Sequence, residues 1–162
     1  EQALKGFSRY ASGQDRLLVL IDYTKPSTEK RFYILDLLQK KLLLSTYVAH
    51  GRGSGDNYAV AFSNRPGSYQ SSLGFFRTGD TYMGKNGYSL FLDGLEKGIN
   101  DKARERAIVV HGANYADPAV LKGQQRLGRN LGCPALPPDI SKQVIDTIKG
   151  GVLLYIYGLN KA

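Results

Sequence analysis

The apolar residues of this chain come in short runs that stop at glycine, proline or a polar cluster, and runs of that length suit strands better than helices. Residues 16–24 contain Leu17, Leu18, Val19, Leu20 and Ile21, the pattern of a strand buried on both faces. Residues 31–37 and 42–49 read as two further strands joined by the polar Gln39, Lys40 and Lys41, which makes a β-hairpin. A short strand is expected over 73–76, with Thr78, Gly79 and Asp80 turning the chain after it. Gly84, Lys85, Asn86 and Gly87 form a second turn signal, leading into a strand over 88–92. Residues 107–111 read as the central strand and 152–157 as the closing one.

Helical spacing occurs in two places. Leu4, Phe7, Tyr10 and Ala11 share one face of a helix over residues 2–11. Pro137, Pro138 and Asp139 open a stronger helix, with Ile140, Val144, Ile145 and Ile148 on one side and Gly150-Gly151 as its stop. Nineteen glycines and eleven tyrosines in 162 residues agree with strands and turns. With no repeat and no linker, the expectation is one mainly β domain over residues 1–162 with one or two short helices.

A formal charge of +8 favours anionic partners. The basic residues are scattered and form no nucleic-acid motif, so no nucleic acid is expected as a partner. No apolar window is long enough to span a bilayer, and the first residues lack the apolar core of a secretory leader, as a processed chain also would. His50, Gly51, Arg52, Gly53, Ser54 and Gly55 resemble a phosphate loop only in their glycine spacing and read as a surface loop. The single cysteine excludes an internal disulfide, and no short ligand spacing suggests a metal.

What remains is a pair. His111 ends an apolar run, and Cys133, the only cysteine, lies in a loop punctuated by glycine and proline ahead of the second helix. An imidazole base and a sulfur nucleophile are the minimum apparatus for acyl transfer. Backbone N–H groups of Gly132 and Cys133 are candidates for an oxyanion hole. Gly132 would leave one side of the sulfur open to substrate, and the helix start would lend the thiol positive potential. The plainer reading makes Cys133 a small buried apolar group and His111 a satisfied polar one.

His111-Gly112 followed by Gly128-Arg129-Asn130-Leu131-Gly132-Cys133-Pro134-Ala135 resembles the L,D-transpeptidase (YkuD-like) catalytic domain, closest to its murein L,D-transpeptidase branch. Upstream, residues 44–51 resemble that family's strand ending in a glycine loop, and 72–76 resemble its Thr-Pro-x-Gly-x-Phe segment. The likeness covers residues 17–157. Asn130 stands where the family has Ser or Thr, Leu131 where it has a second His, and Ala135 where it has Asn or Arg.

The resemblance implies a β-sandwich or partly open barrel and an enzyme without cofactor acting on peptidoglycan stem peptides in a bacterial envelope. Cys133 would form the thioester, His111 would move the proton, and the Gly112 carbonyl would orient the ring. Arg129, Asn130, Tyr82, Tyr88 and His50 are the candidate substrate contacts, each with a structural alternative: a loop brace for Arg129, aromatic packing for the tyrosines and a loop anchor for His50. A hydrolase with the same pair, or an inactive wall-binding module, are the other readings.

Overall fold

The computed structural model describes residues 2–161, apart from the side chains of Gln2 and Leu4, so the place expected for Leu4 lies outside the described residues. The chain runs α1 (Gln2–Tyr10), β1 (Leu17–Asp22), β2 (Phe32–Asp36), β3 (Lys41–Thr46), β4 (Gly74–Gly84), β5 (Gly87–Gly94), β6 (Val109–Gly112), β7 (Ala135–Leu136), α2 (Pro138–Ile148) and β8 (Leu153–Tyr157). The strands form one eight-stranded sheet in the order β3-β2-β1-β8-β4-β5-β6-β7. Two pairings are parallel, β1 with β8 and β6 with β7, and the others are antiparallel.

The sheet curls until its two ends meet. Beyond β3 the chain reaches β7 at the opposite edge, where Ala49 N–H donates to Ala135 O at 2.8 Å. A second bridge joins Gly51 to Asn130, and Arg52 N–H donates to Asn130 O at 2.7 Å. This near closure satisfies backbone groups that an open edge would leave unpaired. The result is the mainly β, barrel-like architecture expected from the sequence.

Alternation along the strands divides their side chains between two apolar layers. Val19, Ile21, Ile34, Phe76, Leu90, Leu92, Val110, Leu154 and Ile156 fill the interior, closed by Val144, Ile145 and Ile148 of α2. Leu18, Phe75, Leu153 and Tyr155 form the outer layer, which Phe7 and Tyr10 of α1 cover. Helix α2 therefore buries the face that its periodicity indicated, as do Phe7, Tyr10 and Ala11 among the described residues at the first helix. No helix among the described residues is long and apolar enough to cross a membrane.

Two details depart from expectation. Thr78, Gly79 and Asp80 do not turn the chain: β4 continues to Gly84, and its register against β5 shifts between Thr78 and Thr81. This is a bulge, anchored where Gly150 N–H donates to Gly79 O at 3.1 Å and Thr78 Oγ1 donates to Ile148 O at 2.6 Å. The strand carrying His111 starts at Val109 and is next to last in the sheet, not central. Ala107 cannot join it because its φ of 55° is left-handed.

Candidate active site

The pairing of β6 with β7 sets the Cys133 loop beside the strand that carries His111. Their parallel register sets His111 opposite Ala135 and Gly112 opposite Leu136, which leaves Cys133 two residues before the partner of His111. The sulfur folds over the start of β6: Val109 N–H donates to Sγ at 3.5 Å, and the thiol donates to Ala107 O at 3.4 Å. No hydrogen bond joins Sγ to the His111 ring among the described residues. The left-handed turn at Ala107 thus aims a carbonyl at the resting thiol.

His111 is buried, and its Nδ1 lies 2.9 Å from Gly112 O. With that carbonyl accepting the Nδ1 proton, Nε2 is the basic nitrogen. Burial pulls the imidazole pKa below its ordinary value, and the bond to Gly112 opposes the shift. Burial pushes the Cys133 thiol upward, countered by the Val109 N–H and by the charges of Arg106 and Lys85. Both directions favour an uncharged thiol and an uncharged imidazole at neutral pH.

Helix α2 begins against the strand that carries the histidine. A Cβ on Gly112 would sit 3.5 Å from Pro138 Cα and 2.9 Å from Ser141 Cβ, so glycine is what lets the helix approach. The positive end of α2, expected to serve Cys133, therefore meets the strand at Gly112. His111, Lys85, Asn86, Tyr88, Asn114, Tyr115 and Ser141 line an open cleft of about 450 Å³. Tyr88 also donates to Asp146 Oδ1 at 2.5 Å.

Tyr82 does not line that cleft. It stacks on Phe91 with ring centroids 4.4 Å apart, and Arg104 covers the Phe91 ring at 4.3 Å. Arg129 braces its own surroundings, with Nη1 donating to Gly55 O at 3.2 Å and Asp56 Oδ1 at 3.0 Å. His50 is buried as an anchor: Arg31 Nη2 lies 2.8 Å from its Nδ1, and its Nε2 lies 3.2 Å from Gly55 O.

Asn130 holds the loop on both sides of the thiol. Its Oδ1 accepts from Gly132 N–H at 2.8 Å, and its Nδ2 donates to Cys133 O at 2.7 Å. The Gly132 N–H is thereby occupied, which leaves the Cys133 N–H as the candidate oxyanion donor. Gly132 also serves packing more than access. Its φ is 127°, and a Cβ there would lie 2.8 Å from Gln70 O and 3.1 Å from Ile108 Cδ1. Asn130→Ala strands one donor and one acceptor, so urea unfolding is expected to show a loss of about 1–3 kcal/mol. An unchanged midpoint would mean that solvent replaces both bonds.

Arg106 and Lys85, the cations that act on the sulfur, escaped the sequence reading. One closes a polar segment and the other sits in a turn, and neither position carries a spacing signal.

A family profile described as L,D-transpeptidase catalytic domain matches residues 1–157. The chain belongs to that family. No individually curated protein matches it. Among solved structures, it is similar to the helical cell shape determining protein Pgp2 from Campylobacter jejuni, with a TM-score of 0.58 and 17% identity over 91% of this chain and 50% of that one. An L,D-transpeptidase from Stackebrandtia nassauensis gives 0.53 and 14% identity over 96% and 62%. One from Mycobacterium smegmatis gives 0.53 and 12% over 88% and 59%. At these identities the likeness is one of fold, and the chain spans about half to three-fifths of those proteins.

Proposed function

We propose that this domain is a cysteine acyltransferase that remodels peptidoglycan by L,D-transpeptidation. The observation that carries the reading is the β6–β7 register, which sets the one cysteine beside the strand of His111 in a member of this family. Cys133 and His111 are its catalytic pair. Because both rest uncharged, the thiol is deprotonated during attack: it leaves the Ala107 carbonyl and gives its proton to His111 Nε2. A sulfur–carbon bond forms at the stem-peptide carbonyl, and the developing oxyanion meets the Cys133 N–H.

Collapse breaks the carbon–nitrogen bond, and His111 passes its proton to the departing amine. An amine of a second stem then attacks the thioester, His111 accepts its proton, and the sulfur–carbon bond breaks as the cross-link forms. The proton returns to sulfur. Tyr88 and Lys85 line the cleft in which the stem is placed, and an envelope location follows from that substrate. No metal or organic cofactor enters these steps.

The test is mass spectrometry after incubation with purified disaccharide-peptides bearing tripeptide, tetrapeptide and pentapeptide stems, with Cys133→Ala as control. A cross-linked dimer from the intact protein alone is the expected product. Shortened monomer would replace this reading with a hydrolase using the same pair. Unchanged substrate in every case would leave a wall-binding module.

A further inference from the structure

Arg106 is the last residue of the polar segment before β6, and its guanidinium is committed to one loop. Nη1 donates to Ser63 O at 2.9 Å and to Ser72 Oγ at 2.8 Å; Nη2 donates to Gln70 O at 2.8 Å and to Ser68 Oγ at 3.2 Å. No carboxylate pairs with it among the described residues. The same group lies against the cysteine loop: a Cβ on Gly132 would sit 3.4 Å from Arg106 Nη2 and 2.8 Å from the Gln70 oxygen that Arg106 binds.

A half-buried, unneutralised charge is thus fixed one residue from Cys133. Its terminal nitrogens already serve the loop, so they are poorly placed to grip a substrate carboxylate. What the group offers the site is its position and its charge.

We propose that Arg106 is a positioning residue for the Cys133 nucleophile, holding the 63–72 loop against Gly132 and placing a permanent positive charge beside the sulfur as it becomes a thiolate. The proposal rests on the reading of Cys133 as nucleophile. Several groups bear on the sulfur besides Arg106: the Val109 N–H, the Ala107 carbonyl, Lys85 from the β4–β5 turn, the phenols of Tyr23 and Tyr115, and His111 on the neighbouring strand. Lys85 is exposed, so solvent and salt screen it; Arg106 is better sheltered.

Alkylation by iodoacetamide, read by intact mass across a pH series, reports the ionisation of the only cysteine and needs no peptidoglycan. It therefore tests Arg106 whether or not cross-linking is found. In R106Q the profile is expected to move to higher pH, cutting the rate at neutral pH about tenfold while the alkaline plateau stays unchanged. R106K restores the charge and is expected to recover most of that rate. S72A removes one loop bond and keeps the charge, so it is expected to lower the melting temperature and leave the profile in place. An R106Q profile that superimposes on the wild type overturns the proposal. So does an R106K profile displaced about tenfold from the wild type, and this comparison with the wild type still decides if R106Q does not fold.

Discussion

Replacing His111 by alanine is expected to slow acylation of Cys133 by a stem peptide about 10²–10⁴-fold, the effect of losing a general base. Burial raises the thiol pKa and lowers the imidazole pKa, so the pair does not rest as thiolate and imidazolium. A base is then needed during the attack, and among the ring nitrogens only Nε2 is free to be one, because Nδ1 is bonded to Gly112 O. Single-turnover kinetics by intact mass would compare wild type, H111A, C133A and the double variant. H111A is expected to keep only a slow, thiol-dependent acylation, while C133A and the double variant, with no sulfur to acylate, form no adduct.

The pH dependence separates this mechanism from a simple loss of packing. In the wild type, the acylation rate should rise as His111 loses its proton, at a pH below the ordinary histidine value of 6.5, and then level off. In H111A the residual rate should instead climb through the alkaline range, following the raised thiol. If H111A keeps the wild-type profile, His111 is not the base.

The strands and α2 could be read in the sequence because they obey local rules. Leu17 to Ile21 is apolar at every position and lies in a strand with apolar layers on both sides. Ile140, Val144, Ile145 and Ile148 follow the helical period and pack on the interior. What local rules omit is which segments meet. The bridges from Ala49 to Ala135 and from Gly51 to Asn130 close the sheet through backbone bonds, to which the side-chain pattern is blind. The bulge at Thr78, Gly79 and Asp80 contains turn residues, and the chain stays a strand through it because β5 pairs before and after it, at Thr78 and from Thr81.

The site divides in the same way. His111 and Cys133 stood out by residue type, but the resting contact of the thiol with Ala107 depends on a left-handed residue that no pattern marked. Gly132 drew attention for the room it leaves, whereas its neighbours Gln70 and Ile108 fill that room. Asn130, a departure from the family pattern, supplies two backbone hydrogen bonds and touches the sulfur with neither.

Acidification from pH 7 to about 4 is expected to cost this domain roughly 3 kcal/mol through His50 alone. His50 is buried against Tyr23 and accepts a hydrogen bond from Arg31, itself buried and bonded to Val48 O and Lys25 O. Burial, reinforced by the Arg31 charge, lowers its pKa from 6.5 to about 4. The unfolded chain therefore takes up a proton near pH 6.5 that the folded chain refuses until about pH 4. Between those values the unfolded state binds more protons, so stability falls as pH falls. The window lies above that of Asp15, Asp36, Asp93, Asp101 and Asp146, whose depressed carboxylates lose their contribution only below about pH 4. His111 titrates in the same sense as His50, so the variant has to isolate one ring. In H50Q the amide oxygen can accept from Arg31 and the amide nitrogen can donate to Gly55 O, without a proton to gain. Urea unfolding from pH 7 to 4.5 should show a shallower loss in H50Q than in the wild type. Parallel curves would mean that Arg31 moves to accommodate a charged His50, and that this buried pair is less rigid than its hydrogen bonds imply.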